Sequence, residues 1–188
     1  MGSLTRIFGS SARLRLLRLF LLNQATPLTL AEAALRAKLS RSATLSALAD
    51  LTAAGLLRKR RGKPLRYQIN PRFEHLAALD VFIRQTSNLQ NADVVRIVRK
   101  AGSLRLVVLS GFFTGALDPQ IDLLVVGEHL NDRALASAVA TLEAEIGREI
   151  RYAAFSTADF RYRMGVYDRL LRDVFDYPHR LLLAKIAL

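Results

Sequence analysis

LSRSATLSALADLTAAGLLRKRRGKPLRYQINP, residues 39–71, decides how the first half of this chain is read. Ser40 stands before a run of helix formers, where a hydroxyl can cap the free N–H groups of a helix start. The run covers about 41–54, carries Leu45, Leu48 and Leu51 as its inward positions, and ends at Gly55 in the manner of a C′ glycine. Two short strand candidates follow, Leu56–Arg60 and Leu65–Ile69, around a turn at Gly62-Lys63-Pro64. Pro71 closes the hairpin. Six cations fall within its nine residues 58–66: Arg58, Lys59, Arg60, Arg61, Lys63 and Arg66.

Upstream, Ser10 and Ser11 can cap a helix running to about Asn23, with Leu14, Leu17 and Leu21 on one face. Thr29 then caps a short helix over about 30–38, with Glu32 at the third helical position as in a capping box. Arg15 and Arg18 interrupt the Leu-rich stretch of the first helix. It falls short of the ~18 apolar residues of a membrane span, and its charges lie within the apolar run rather than before it, unlike a signal peptide. The expectation is a cytoplasmic protein with no membrane partner.

Downstream, a helix over 73–86 carries an apolar stripe of Phe73, Leu76, Leu79 or Asp80, and Ile83, and residues 87–91 read as a linker. The second half alternates differently. A helix over 90–101 is followed by a strand at Leu104–Leu109, a loop at Ser110–Gln120 and a strand at Ile121–Val126. Then come a helix over 131–147, a strand at Glu149–Phe155, a helix capped by Ser156 or Thr157, a helix over 166–175 and an apolar run at Leu181–Ile186. The fold class expected is α+β: a helical N-terminal domain with a hairpin over 1–87, then an α/β domain with a small mixed sheet over 88–188.

Charge divides the same way. The chain has 188 residues and a formal net charge of +12. Residues 1–87 hold 15 Lys/Arg against 4 Asp/Glu, and residues 88–188 hold 13 against 12. Such asymmetry marks a nucleic-acid-binding segment joined to something else. The absence of Cys excludes disulfides, thiolate zinc sites and a cysteine nucleophile. His75, His129 and His179 lack metal-ligand spacing, so no metal site, cofactor or catalytic residue is expected. Asp168, Arg169, Arg172 and Asp173 read as a solvated helix face.

The order helix, helix, helix, hairpin, with Leu48, Leu51, Ala54-Gly55-Leu56 and Tyr67 in place, resembles the winged helix-turn-helix of bacterial transcriptional regulators over about residues 10–72. The resemblance implies that the third helix enters the major groove of double-stranded DNA while the hairpin, the wing, follows the backbone or minor groove. The DNA-facing residues it implies are Arg41, Ser42, Thr44 and Ser46 on the helix, and Arg58, Lys59, Arg60, Arg61, Lys63 and Arg66 on the wing. The face Ser42, Ala43, Ser46 and Ala47 is poor in base-reading groups, and only Arg41 has the reach and fork to hold a guanine edge. Affinity is therefore expected mainly from the wing. Tyr67 reads as core. The stripe on the helix over 73–86 is where such proteins often pair two subunits, which implies a homodimer; packing within the chain is the alternative.

The stretch LRLVVLSGFFTGALDPQIDLLVVG, residues 104–127, resembles the minimal nucleotidyltransferase domain of the polymerase-beta-like superfamily, a likeness extending over about residues 93–186. Ser110-Gly111 stands where that family has Gly-Ser, Gly115 matches its loop glycine, and Gln120-Ile121-Asp122-Leu123 aligns with its carboxylate strand. That family uses an Asp-x-Asp pair to hold Mg²⁺ and a nucleotide triphosphate. Here the first acid is Gln120, and the third acid has no equivalent, with Arg151, Ala153 and Glu149 as the nearest positions. Phe112 and Phe113 are bulky where backbone N–H groups would approach a phosphate. A vestigial nucleotide site at Ser110, Gly111, Gly115, Gln120 and Asp122, without catalysis, is the expectation. Gly9-Ser10-Ser11-Ala12-Arg13 imitates the transferase loop but has no strand before it, so it reads as a helix cap.

Together these readings point to a DNA-binding transcriptional regulator whose second domain serves sensing or assembly, with a protein partner or small-molecule effector there. The alternatives are an active nucleotidyltransferase acting on RNA or protein, and an antitoxin-like interaction module.

Overall fold

Ser10, Thr29 and Ser40 each begin a helix in the computed structural model, which describes residues 3–86, 89, 91–115 and 120–187. The first elements are α1 (Ser3–Ile7), α2 (Ser11–Leu22), β1 (Leu28–Thr29), α3 (Leu30–Ala37), α4 (Arg41–Ala53), β2 (Leu57–Arg60), β3 (Arg66–Ile69) and α5 (Leu76–Thr86). Next come α6 (Asn91–Val98), β4 (Ser103–Leu109), β5 (Leu123–Glu128), α7 (Asp132–Ile146), β6 (Tyr152–Phe155), α8 (Thr157–Gly165), α9 (Arg169–Phe175) and β7 (Arg180–Ala184). The fold is α+β. Residues 87, 88 and 90 of the expected linker, and 116–119 of the expected loop, lie outside the described residues. No helix among the described residues is long and apolar enough to cross a membrane.

The chain divides into two units. The first comprises Met1–Asn88 with Glu143–Arg148, and the second Leu89–Leu142 with Glu149–Leu188. The division at 88/89 lies one residue from the sequence boundary. The assignment of 143–148 to the first unit has no sequence signal, because it follows from proximity in space, which tertiary hydrogen bonds accompany. Arg18 Nη1 donates to the Glu145 carbonyl at 2.7 Å, and Asn23 Nδ2 donates to the Gly147 carbonyl at 2.7 Å.

In the first unit, Leu16, Leu17, Phe20 and Leu21 of α2 form a core with Leu48 of α4, Tyr67 and Ile69 of β3, and Ile83 of α5. α2 buries more than one stripe (Leu14, Leu16, Leu17, Leu19, Phe20 and Leu21) because neighbouring helices cover several of its sides. The three strands run in the order β1-β3-β2, all antiparallel. β1 escaped the sequence reading because two residues carry no periodicity. α5 begins at Leu76 rather than 73, since residues 71–75 form turns.

Thr29 both ends β1 and caps α3. Its hydroxyl accepts from Glu32 N–H at 3.2 Å, and Glu32 Oε2 accepts from Thr29 N–H at 2.7 Å. The Thr29 backbone hydrogen bond, with its hydroxyl and Arg66 nearby, holds the Glu32 carboxyl below its ordinary value of 4.5. A depressed native pKa means this contribution to stability is complete above the ordinary value and is lost as pH falls through the lower native one. Thermal melts of wild type and Glu32→Gln should therefore differ near neutrality and converge as the pH drops below about 4.5. A difference that stays constant into strong acid would refute the assignment.

In the second unit the strands run β6-β5-β4-β7, with β5 parallel to β6 and the other pairs antiparallel, a small mixed sheet. β5 is central, and Leu123–Val126 are fully buried. Leu106, Val108, Leu124 and Val126 pack against Phe160, Leu171 and Val174 from α8 and α9. Gly127 sits where β5 meets the irregularity of β4 between Leu104 and Leu106. A Cβ there would lie 2.6 Å from the Ser103 carbonyl oxygen. Gly127→Ala should destabilise the protein by about 1–3 kcal/mol, as overpacking does, read as a lower urea midpoint with an unchanged slope. An unchanged midpoint would show that the strands part without cost.

Candidate nucleic-acid interface

α4 runs from Ser40, whose Oγ accepts from Ala43 N–H at 3.2 Å, to Gly55, which takes the left-handed conformation (φ +79°) that favours glycine. It buries Thr44, Ala47, Leu48 and Leu51. Those positions stay on one side of a helix that turns about 100° per residue. The set Leu45, Leu48 and Leu51 drifts round it. Two expectations are corrected by this. Leu45 is not inward but 51% exposed. Thr44 and Ala47 are not on the open face: Thr44 is fully buried, and its hydroxyl donates to the Ser40 carbonyl at 2.8 Å. Thr44 is thereby removed from the candidate interface. The open face comprises Arg41, Ser42, Leu45, Ser46, Ala49 and Asp50, with Ala43 half-buried.

The hairpin formed by β2 and β3 follows. Leu57, Tyr67 and Ile69 anchor it in the core, and Arg58, Lys59, Arg60, Arg61 and Lys63 are exposed. Among the described residues none of these five, nor Arg41, is ion-paired. Arg66 behaves differently and is a third correction. The register sets it opposite Thr29, beside the start of α3. There its Nη1 donates to the Pro27 carbonyl at 2.9 Å and meets Glu32 Oε2 at 3.3 Å. Its guanidinium ties the hairpin to the capping box, so its charge is shared with Glu32 rather than displayed alone like those of the other five.

The basic helix α2 contributes less than its composition suggests. Arg13 Nη2 meets Asp50 Oδ2 at 2.6 Å, Arg15 pairs with Glu145, and Arg18 is engaged by the Glu145 carbonyl. Burial pulls the Arg18 pKa down from its ordinary value, with Glu145 opposing that effect. The first unit's excess charge is thus displayed chiefly by the hairpin.

α5 uses its stripe within its own unit. Ile83 is fully buried, and Phe73, Leu76 and Leu79 pack on the core. Leu79 rather than Asp80 completes the stripe, because Asp80 accepts from Gln24 Nε2 at 3.0 Å and from Arg84 Nε at 2.8 Å. Val81 and Phe82 are left on the exposed side.

Of the second unit's candidate nucleotide residues, Ser110 and Asp122 are buried and bonded together, the Ser110 N–H donating to the Asp122 carbonyl at 3.0 Å. Asp122 is 1% exposed. Its Oδ1 accepts from Phe112 N–H at 2.8 Å, and its Oδ2 accepts from Arg151 N–H at 3.0 Å. Arg151 Nε lies 3.6 Å from the same oxygen. Ser110 is also buried, and its hydroxyl donates to the Ile121 carbonyl at 2.9 Å. Gly111 is buried in the short turn after β4, which Gly115 ends. Gln120 is exposed, and its backbone N–H donates to Asp173 Oδ2 at 3.0 Å. The carboxylate expected to face a ligand is therefore enclosed by protein N–H groups, and Gln120 does not share its burial. Ala153 lies on β6 opposite Leu124, and Glu149 precedes that strand. Among the described residues no group of three or more acids or histidines is placed to hold a metal ion.

Gly9-Ser10-Ser11 is a helix cap, as read: Ser10 Oγ accepts from Arg13 N–H. Asp168, read as part of a solvated face, instead caps α9, accepting from the Leu170 and Leu171 N–H groups, and receives Arg163 Nη1 at 2.8 Å. Burial would raise its pKa, but those hydrogen bonds outweigh it and hold the carboxyl below the ordinary value. An open cavity of about 500 Å³ lies beside it, floored by Met164, Leu171 and Phe175.

Compared with known protein families, curated proteins and solved structures, the chain matches none.

Proposed function

We propose that this protein is a DNA-binding transcriptional regulator, with a winged helix-turn-helix in residues 1–87 and a nucleotidyltransferase-like domain in residues 88–188. The observation that carries the reading is the hairpin. Five exposed cations without ion pairs among the described residues follow directly on a helix whose open face holds Arg41, Ser42 and Ser46. Unpaired surface cations release counterions from DNA at little cost in broken protein contacts. The three helices, the hairpin and the short strand β1 agree with the winged-helix likeness. On this reading α4 occupies the major groove, the hairpin holds the backbone, and the protein acts in the cytoplasm; a homodimer on a two-fold site would pair through a surface other than the stripe of α5, which its own unit covers.

The second domain, on the same reading, serves sensing or assembly and performs no phosphoryl transfer at Asp122. Metal-assisted transfer needs carboxylate oxygens that a cation can reach, and Asp122 is 1% exposed, with each oxygen accepting a backbone N–H group. Selection from a random duplex pool at low and physiological salt tests the regulator reading. Recovery of a palindrome supports both sequence specificity and the dimer. Binding that is salt-sensitive but blind to sequence would overturn the regulator assignment.

A further inference from the structure

We infer that Leu45 reads the C5-methyl group of a pyrimidine, in thymine or 5-methylcytosine, from the major groove; this rests on the DNA-binding reading above. Leu45 lies on the open face of α4 and is 51% exposed, whereas Thr44, Ala47, Leu48 and Leu51 are turned into the core. Its neighbours on that face, Ser42, Ser46 and Ala49, are short. Leu45 and Arg41 are thus the side chains of greatest reach on the N-terminal half of the helix. Arg41 supplies a forked donor that matches the acceptor pair of guanine, and Leu45 supplies an apolar surface. The apolar feature of a base edge in the major groove is the pyrimidine C5-methyl group. The short neighbours let the backbone approach closely enough for a leucine to reach it.

Spacing makes the inference specific. Arg41 and Leu45 are four residues apart, about 6 Å along the helix axis, and successive bases on one strand are about 3.4 Å apart. A guanine held by Arg41 and a methyl group against Leu45 therefore lie about two base steps apart. Thr44, the β-branched neighbour of Leu45, is excluded by its burial and its bond to Ser40, and the methyl group of Ala49 on the same face has less reach than Leu45.

The test uses the full chain and the duplex recovered by selection, with each thymine replaced in turn by deoxyuridine to remove one methyl group. Wild type should lose roughly 4- to 10-fold in affinity at one position per half-site, the scale of one buried methyl contact. Leu45→Ala should bind the thymine duplex that much more weakly, lose nothing further on deoxyuridine substitution, and keep the wild-type salt slope. Where the selected base is cytosine, converting it to 5-methylcytosine should raise the affinity of wild type and not of Leu45→Ala. Leu45 is exposed, so the variant is expected to fold; its circular dichroism melt verifies this. Salt-sensitive binding in which no methyl substitution distinguishes wild type from Leu45→Ala overturns this inference alone. Absence of salt-sensitive DNA binding overturns the underlying reading, and this inference with it.

Discussion

Replacing Arg58, Lys59, Arg60, Arg61 and Lys63 by alanine should abolish most of the salt-dependent affinity for duplex DNA while leaving the fold intact. Each cation that meets a phosphate contributes about −0.9 to the slope of log affinity against log salt, so five contribute about −4.5, a loss of about 500-fold between roughly 50 and 200 mM. The double variant Arg60→Ala, Arg61→Ala should flatten the slope by about 1.8. These side chains are exposed and have no ion pairs among the described residues, so their removal breaks no internal ion pair. Fluorescence anisotropy at four or five salt concentrations gives the slope directly. Arg66→Ala should behave differently, lowering the melting temperature because its guanidinium bridges Pro27 and Glu32. An unchanged slope in the five-fold variant would remove the hairpin from the interface.

Asp122→Ala should cost about 3–5 kcal/mol of stability, the scale of removing a charged acceptor from buried donors. The loss strands the Phe112 and Arg151 N–H groups, which Asp122 joins across the end of β5. Asp122→Asn should recover only part of it, since its NH₂ group would face one of those N–H donors. Urea unfolding measures both. A variant as stable as wild type but defective in Mg²⁺-dependent nucleotide transfer would assign Asp122 to catalysis instead.

Helix caps were legible in the sequence because they are local: Ser10, Thr29 and Ser40 each accept the N–H three residues on. The turn glycine at 55 was legible for the same reason. The open face of α4 was not. Leu45, Leu48 and Leu51 look like a stripe at spacing three, and a helix of 3.6 residues per turn buries 44, 47, 48 and 51 instead. That difference exchanges Thr44 for Leu45 in the candidate interface. At Asp122, sequence could show that the acidic pair was incomplete. It could not show that the surviving acid is enclosed, because its partners come from residues ten before and twenty-nine after it.

The amino-acid sequence by itself determined the boundary near residue 88, though not the place of 143–148, together with the order of most helices and strands and the concentration of positive charge in the first 87 residues. These follow from composition, periodicity and hydrogen bonds between close neighbours. Only the tertiary structure decided which cations are free. Arg13, Arg15, Arg18 and Arg66 are engaged by partners 37, 130, 127 and 34–39 residues away, while Arg41 and the five hairpin cations extend into solvent. Charge is a property of residues, but its availability depends on what the fold brings against them.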